Sequence, residues 1–174
     1  MGKKSPVIFT IGHGAKSIDE FVSLLKTYGV ERLVDVRTVP KSRHNPQFNK
    51  DVLPESLRNV RIDYVHIKGL GGLRHAKQDS VNTAWQDASF RGFADYMQTG
   101  AFEQNIERLA ELARQKQTAI MCAEHLPGRC HRSLIADALF VRGAKVKHIM
   151  GQETCDDHEL TPSARVKGVQ VSYP

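Results

Sequence analysis

The stretch Thr118-Ala119-Ile120-Met121-Cys122-Ala123-Glu124-His125-Leu126-Pro127-Gly128-Arg129-Cys130-His131-Arg132-Ser133-Leu134-Ile135-Ala136 reads as a short buried strand, Thr118 to Ala123, that turns through a polar corner into a helix beginning near Cys130. Two cysteines, a carboxylate, two histidines and two arginines crowd that corner. In an open parallel α/β sheet, ligands bind beyond the carboxyl ends of the strands, where loops and helix N-termini converge. A helix N-terminus adds unpaired N–H groups and a partial positive charge, which favour anions and thiolates. The corner is the first candidate site, and strand-then-helix is the unit to look for in the rest of the chain.

The unit recurs toward the N-terminus. Val7-Ile8-Phe9-Thr10-Ile11 is a continuous apolar run ending in Gly12-His13-Gly14, as a buried parallel strand and a permissive turn would be. Ser17 with Glu20 three residues on has the capping-box pattern, Ile18, Phe21, Val22, Leu24, Leu25 and Tyr28 form a helical stripe, and Gly29 suits the residue just past a helix. Leu33-Val34-Asp35-Val36-Arg37 is a second buried strand with Asp35 and Arg37 on one face of its carboxyl end. The loop from Thr38 to Asn49 is long and basic, and loops of that length in compact domains are often functional. Leu53 to Leu57 suggests a short helix with Pro54 in its first turn, and Ile62 to Ile67 a third strand. Gly69-Leu70-Gly71-Gly72-Leu73-Arg74 is a glycine-rich turn; as a phosphate signature it matches neither the dinucleotide fingerprint nor the P-loop.

Residues 75–89 are polar and irregular, with Trp85 as a packing anchor. Phe90, Phe93, Ala94 and Met97 start a helical pattern that resumes at Phe102, Ile106, Leu109 and Leu112 after a break at Thr99-Gly100. Beyond the key stretch, the helix runs to Arg142 before Gly143, and Val146 to Met150 is a last strand. The tail from Gly151 to Pro174 has little periodicity and reads as a C-terminal extension of one domain covering 1–174. Strands alternate with helices five times, which predicts an α/β three-layer sandwich: a mostly parallel five-stranded sheet, Rossmann- or flavodoxin-like, with helices on both faces and the polar strand ends on one edge.

The composition sets bounds on function. At 174 residues, 40% hydrophobic and 25% charged, the chain suits one soluble globular domain. No apolar run approaches the ~20 residues that span a bilayer, and the basic start Met1 to Pro6 leads into a run too short for a signal sequence, so no membrane partner is expected and the cytoplasm is the default. Three cysteines argue for reduced thiols rather than a disulfide framework. A net charge of +6 and a pI near 9.3 favour anionic partners, whether a small anion or nucleic acid. No motif names a cofactor, and nothing sets an oligomeric state.

The ordered set Thr10-Ile11-Gly12-His13-Gly14, Val34-Asp35-Val36-Arg37-Thr38-Val39-Pro40-Lys41-Ser42, Leu70-Gly71-Gly72-Leu73-Arg74 and Met121-Cys122-Ala123-Glu124 with Pro127 and Cys130-His131-Arg132 resembles the DUF488 family of uncharacterised proteins. The resemblance spans residue 7 to about 150 and implies a compact α/β domain, with no established reaction attached. Gly14 stands where such members usually carry Ser or Thr, so no hydroxyl chemistry is expected there.

Three chemistries compete for the corner. Cys130, near a helix N-terminus and flanked by Arg129, His131 and Arg132, is in surroundings that lower a thiol pKa from about 8.5 toward neutrality, which makes it the leading nucleophile with His131 or His125 as proton partner. Cys122 is the second nucleophile, or else a small buried hydrophobe on a core strand. Glu124 and Asp35 could act as general base or carboxylate nucleophile, and His13 is the best histidine candidate because its flanking glycines leave the ring room beside a ligand, while Arg37, Arg43, Arg74, Arg132, His131, Gly71 and Gly72 hold an anionic substrate; the alternative for Asp35 is an internal salt bridge to one of those arginines. A phosphatase- or rhodanese-like loop is disfavoured because Cys122 to Arg129 is one residue too long and Glu124 inside it repels phosphate. Cys122, Glu124, Cys130 and His131 are also metal-ligand types, but their spacing fits none of the common zinc patterns.

The functional expectation is an enzyme that binds a small phosphorylated or nucleotide-like anion at the strand ends, a hydrolase or transferase. The alternatives are a nucleic-acid-binding or DNA-repair-associated accessory protein, and a Cys/His metal-binding protein.

Overall fold

The structure is a computed structural model that describes residues 6–174; the basic start from Met1 to Ser5 lies outside the described residues. The first half of the chain forms β1 (Val7–Gly12), α1 (Ile18–Thr27), β2 (Arg32–Asp35), α2 (Leu53–Arg58) and β3 (Asp63–His66). The second forms α3 (Ala88–Tyr96), α4 (Gly100–Gln115), β4 (Thr118–Cys122), α5 (Arg132–Val141), β5 (Lys145–Ile149), and then three short strands, β6 (Cys155–Asp157), β7 (Arg165–Lys167) and β8 (Gln170–Ser172). Local chemistry sets several boundaries as expected. Ser17 Oγ accepts the Glu20 N–H at 3.1 Å to start α1, and Gly29 takes a φ of 68° just beyond its end.

The main sheet has six strands in the order β3-β2-β4-β1-β5-β6, all parallel except β6, which runs antiparallel to β5. The expectation of five strands in a Rossmann or flavodoxin order needs correcting on both counts. The order differs because β4 is inserted between β1 and β2, whereas the flavodoxin order keeps the first two strands adjacent. The sixth strand escapes a periodicity search because Cys155-Asp156-Asp157 is three residues long and carries two charges.

The five parallel strands divide their side chains between two cores. Ile8, Val34, Ile120, Cys122 and Val146 face one, with Phe93 from α3, Phe102, Ile106 and Leu109 from α4, and Leu134 and Ile135 from α5. Phe9, Ile11, Leu33, Ala119 and Met121 face the other, with Phe21 and Leu25 from α1 and Leu53 and Leu57 from α2. The steps β1 to β2 to β3 move one way along the sheet and carry α1 and α2 on one face; the return to β4 and β5 carries α3 to α5 on the other. A constant crossover hand requires that arrangement.

The end of the tail packs onto the α3–α5 side of the sheet. β7 and β8 form a separate hairpin, Val171 and Tyr173 enter the α3–α5 core, and Tyr173 is fully buried. A buried polar chain anchors it: Thr10 Oγ1 to His148 Nδ1 at 2.6 Å, His148 Nε2 to His158 Nδ1 at 2.9 Å, His158 Nε2 to Asp137 Oδ1 at 2.8 Å, and Tyr173 Oη to Asp137 Oδ2 at 2.7 Å. A carboxylate only accepts, so His158 donates through Nε2, His148 donates to His158, and Thr10 donates to His148. No helix among the described residues is long and apolar enough to cross a membrane.

Candidate active site

The carboxyl ends of β1, β2 and β4 and the turn after β3 surround a cleft of about 490 Å³ whose walls include His13, Arg37, Gly72, Cys122, Glu124 and Cys130. The start of α3 supplies the facing wall through Asp87, Ser89 and Phe90. Sequence reasoning missed that wall. Its one local signal is Asp87 as a helix cap, and Asp87 Oδ1 does accept the Ser89 and Phe90 N–H groups.

Cys122 ends β4 and faces the α3–α5 core, its side chain only 2% exposed. The next residues cross over the end of β1, where they come so near that a Cβ on Gly12 would lie 1.8 Å from the Glu124 carbonyl oxygen. Only glycine admits that approach. The crossing turns the carbonyls of Glu124 and His125 inward, where they accept from Arg132 Nη1 and Nη2 at 3.1 Å each. Arg132 is fully buried at the start of α5, and its Nη1 also reaches Cys122 Sγ at 3.2 Å. Among the described residues no carboxylate pairs with Arg132, and its Nε has no partner.

A buried guanidinium without a carboxylate favours negative charge on the nearest group that can carry it. Burial opposes a charge on the Cys122 sulfur. The Cys130 S–H, donated to Cys122 across 2.7 Å, and the Arg132 charge outweigh it, so the Cys122 thiol is held below its ordinary range. The same hydrogen bond and burial push the Cys130 thiol far up. The sequence expectation put the thiolate on Cys130; in the structure the Arg132 guanidinium reaches Cys122 Sγ, while Cys130 Sγ meets the Arg132 backbone N–H at 3.4 Å.

His131 donates through Nε2 to the Val36 carbonyl at 2.9 Å, which leaves Nδ1 as an acceptor 3.4 Å from Cys130 Sγ. Burial lowers its pKa to about 4, so the ring is neutral at pH 7. His13 donates through Nδ1 to the Gly14 carbonyl at 2.8 Å, stacks on Phe48, and turns Nε2 toward Arg37 Nη1 at 3.5 Å; burial lowers its pKa too. His125 is not on the cleft wall, and its Nδ1 is paired with Lys16 Nζ at 3.1 Å.

Several predicted residues have other work. Asp35 is fully buried and off the cleft wall: Arg37 Nε and Nη2 grip its two oxygens at 2.9 and 2.7 Å, and Tyr64 Oη donates to Oδ2 at 2.5 Å. The internal salt bridge is the arrangement found, and it leaves Asp35 no oxygen facing a substrate. Arg74 bonds the carbonyls of Gly69 and Gly71 and lies over the Tyr96 ring at 3.6 Å, away from the cleft wall. Arg43 is exposed and off the wall as well. Gly71 makes room for Thr38 and Gly72 for the His131 ring, and of the two only Gly72 lines the cleft. The cations that do line it are Arg37, Lys41 and Arg129; neither Lys41 nor Arg129 is in an ion pair among the described residues.

Among the described residues no group of three or more His, Cys, Asp or Glu is arranged to hold a metal ion. The two sulfurs are 2.7 Å apart, whereas Zn–S bonds of about 2.3 Å in tetrahedral geometry separate two sulfurs by roughly 3.8 Å.

A family model described as a domain of unknown function, DUF488, matches residues 17–139. No curated protein and no solved structure matches the chain.

Proposed function

The chain belongs to the DUF488 family, and from its strand-end cleft we propose that it is an enzyme in which the Cys122 thiolate is the nucleophile and a small anionic molecule, phosphorylated or nucleotide-like, is the substrate. The observation that carries the reading is the Arg132 guanidinium, buried against Cys122 Sγ with no carboxylate to balance it among the described residues. A thiolate is the reactive form of cysteine, and a low-dielectric site with fixed donors is where such a nucleophile is kept ready. Lys41 and Arg129 are the cleft cations available to an anionic substrate, since the Arg37 charge is matched by Asp35. Glu124 is exposed on the same wall, where solvent screens the repulsion that a buried carboxylate would exert on phosphate, and it is the carboxyl available to exchange a proton with a leaving group. The chemistry is group transfer: the thiolate displaces a leaving group from the substrate, and water or a second acceptor releases the group from sulfur.

The nucleic-acid reading draws on the net charge of +6 and the exposed Lys41, Arg43 and His44 of the loop beside the cleft. It accounts for none of the buried arrangement around Cys122, so it ranks second.

The test is the rate of alkylation of Cys122 by iodoacetamide against pH, followed by peptide mass mapping, with inorganic phosphate or AMP as protectant. A rate already at its plateau near pH 7, slowed by either anion, supports the reading. A rate that rises only through the ordinary thiol range and ignores both anions removes it.

A further inference from the structure

The two thiols at the floor of the cleft are unlike each other and in contact. Cys122 and Cys130 are eight residues apart in sequence, come from the end of β4 and the approach to α5, and place their sulfurs 2.7 Å apart with both lining the cleft. Arg132 Nη1 faces only one of them, and His131 Nδ1, the free acceptor of a ring fixed by Val36, faces the other. The third cysteine, Cys155, packs against the core on the opposite face of the sheet. We propose that Cys122 and Cys130 are a redox pair, Cys122 attacking and Cys130 resolving, that reversibly forms an intramolecular disulfide at the expense of a low-molecular-weight disulfide of the glutathione class. This rests on Cys122 being the thiolate, as in the proposed function, but not on the anionic substrate.

The exchange balances in two steps. In the first, Cys122 S⁻ attacks one sulfur of the oxidant RSSR; the RS–SR bond breaks, a Cys122–SR bond forms, and one RS⁻ leaves. In the second, the Cys130 sulfur attacks Cys122 Sγ; the Cys122–SR bond breaks, the Cys122–Cys130 bond forms, and the second RS⁻ departs. The Cys130 proton passes by way of His131 Nδ1 to that departing thiolate, which leaves as RSH. The two cysteines lose two electrons, and RSSR gains them.

The arrangement suits each step. The attacking sulfur is the one that a fixed cation stabilises as thiolate, and the resolving sulfur keeps its proton until a mixed disulfide removes the negative charge from its neighbour. That loss of charge also removes the hydrogen bond that holds the Cys130 thiol pKa up, so Cys130 becomes acidic only after Cys122 has reacted. Little chain movement is needed, since the sulfurs already touch.

The experiment uses the full chain carrying Cys155→Ser, equilibrated in a series of glutathione/glutathione-disulfide buffers, trapped with a maleimide and read as intact mass with peptide mapping. The expected result is a species that has lost two thiols and carries no glutathione, reversed by reductant. Cys130→Ser and Cys130→Ala, each checked for folding by circular dichroism, should instead hold one glutathione on Cys122, and Cys122→Ser should gain at least tenfold less adduct. Stable glutathione adducts on the Cys155→Ser protein with no internal disulfide would overturn the proposal, as would equal adduct formation at both cysteines. If Cys122 is alkylated rapidly at pH 7 but no disulfide forms, the redox pair fails while the nucleophile stands. If Cys122 is inert to both reagents, both fail together.

Discussion

Arg132 Nη1 lies 3.2 Å from Cys122 Sγ and also donates to the Glu124 carbonyl, while Nη2 donates to the carbonyl of His125. In the proposed reading, a fully buried cation held by two carbonyl oxygens and one sulfur gives that sulfur the counter-ion's role. Arg132→Met should raise the Cys122 thiol pKa by at least one unit, slowing its alkylation at pH 7 about tenfold per unit. Thiolate ultraviolet absorbance followed against pH checks the shift independently of any substrate.

Asp35 and Arg37 form a bidentate buried pair completed by Tyr64. Removing one partner of such a pair leaves an uncompensated buried charge, so Asp35→Asn should destabilise the fold by about 3–5 kcal/mol in chemical denaturation. Tyr64→Phe removes only a hydroxyl donor and should cost about 1–2 kcal/mol. A stable Asp35→Asn protein that had lost only its chemistry would instead make Asp35 a reacting carboxylate.

Gly12 and Gly128 differ in what surrounds them. A Cβ at Gly12 would meet the Glu124 carbonyl, while one at Gly128 meets nothing within 4 Å. Gly12→Ala should displace the Glu124–His125 crossing and with it both carbonyls that hold Arg132, losing the neutral-pH reactivity of Cys122. Gly128→Ala should leave stability within about 0.5 kcal/mol of the starting protein. Alkylation rates and denaturation midpoints of the two variants test the contrast.

His131 and His148 have pKa values lowered to about 4, mainly by burial; for His148 the neighbouring His158 and Arg132 add to it, and for His131 the Val36 and Leu70 carbonyls partly oppose it. The unfolded chain binds their protons near the ordinary 6.5, and the folded chain does not. Stability should therefore be full above about pH 7, fall as the pH drops through 6.5, and level off near pH 4, by on the order of 3 kcal/mol per histidine. Denaturation midpoints measured from pH 8 to 4 read the slope, and His148→Gln should flatten it.

Tyr173 is fully buried and donates to Asp137, on a tail that carries no helical or strand period of its own. Tyr173→Ala should cost about 3–5 kcal/mol, as for other buried aromatic truncations. A loss below about 1 kcal/mol, by thermal or chemical denaturation, would mean that the tail is a detachable appendage.

The sequence by itself determined the alternation of strands and helices, the capped start of α1, and the gathering of His13, Arg37, Cys122 and Glu124 at strand ends, because hydrophobic period and capping chemistry are local properties of the chain. It also narrowed Asp35 to two roles. Which role holds was decided in the tertiary structure, where Tyr64 arrives from another strand to complete the ion pair. The insertion of β4 between β1 and β2, and the pairing of β6, depend on contacts between distant segments that no local pattern encodes. The same reason governs the thiols. Sequence neighbours pointed to Cys130 as the thiolate and the proposed reading points to Cys122, because a thiol's charge is set by the groups that face its sulfur in space, and folding turns the Arg132 guanidinium to Cys122.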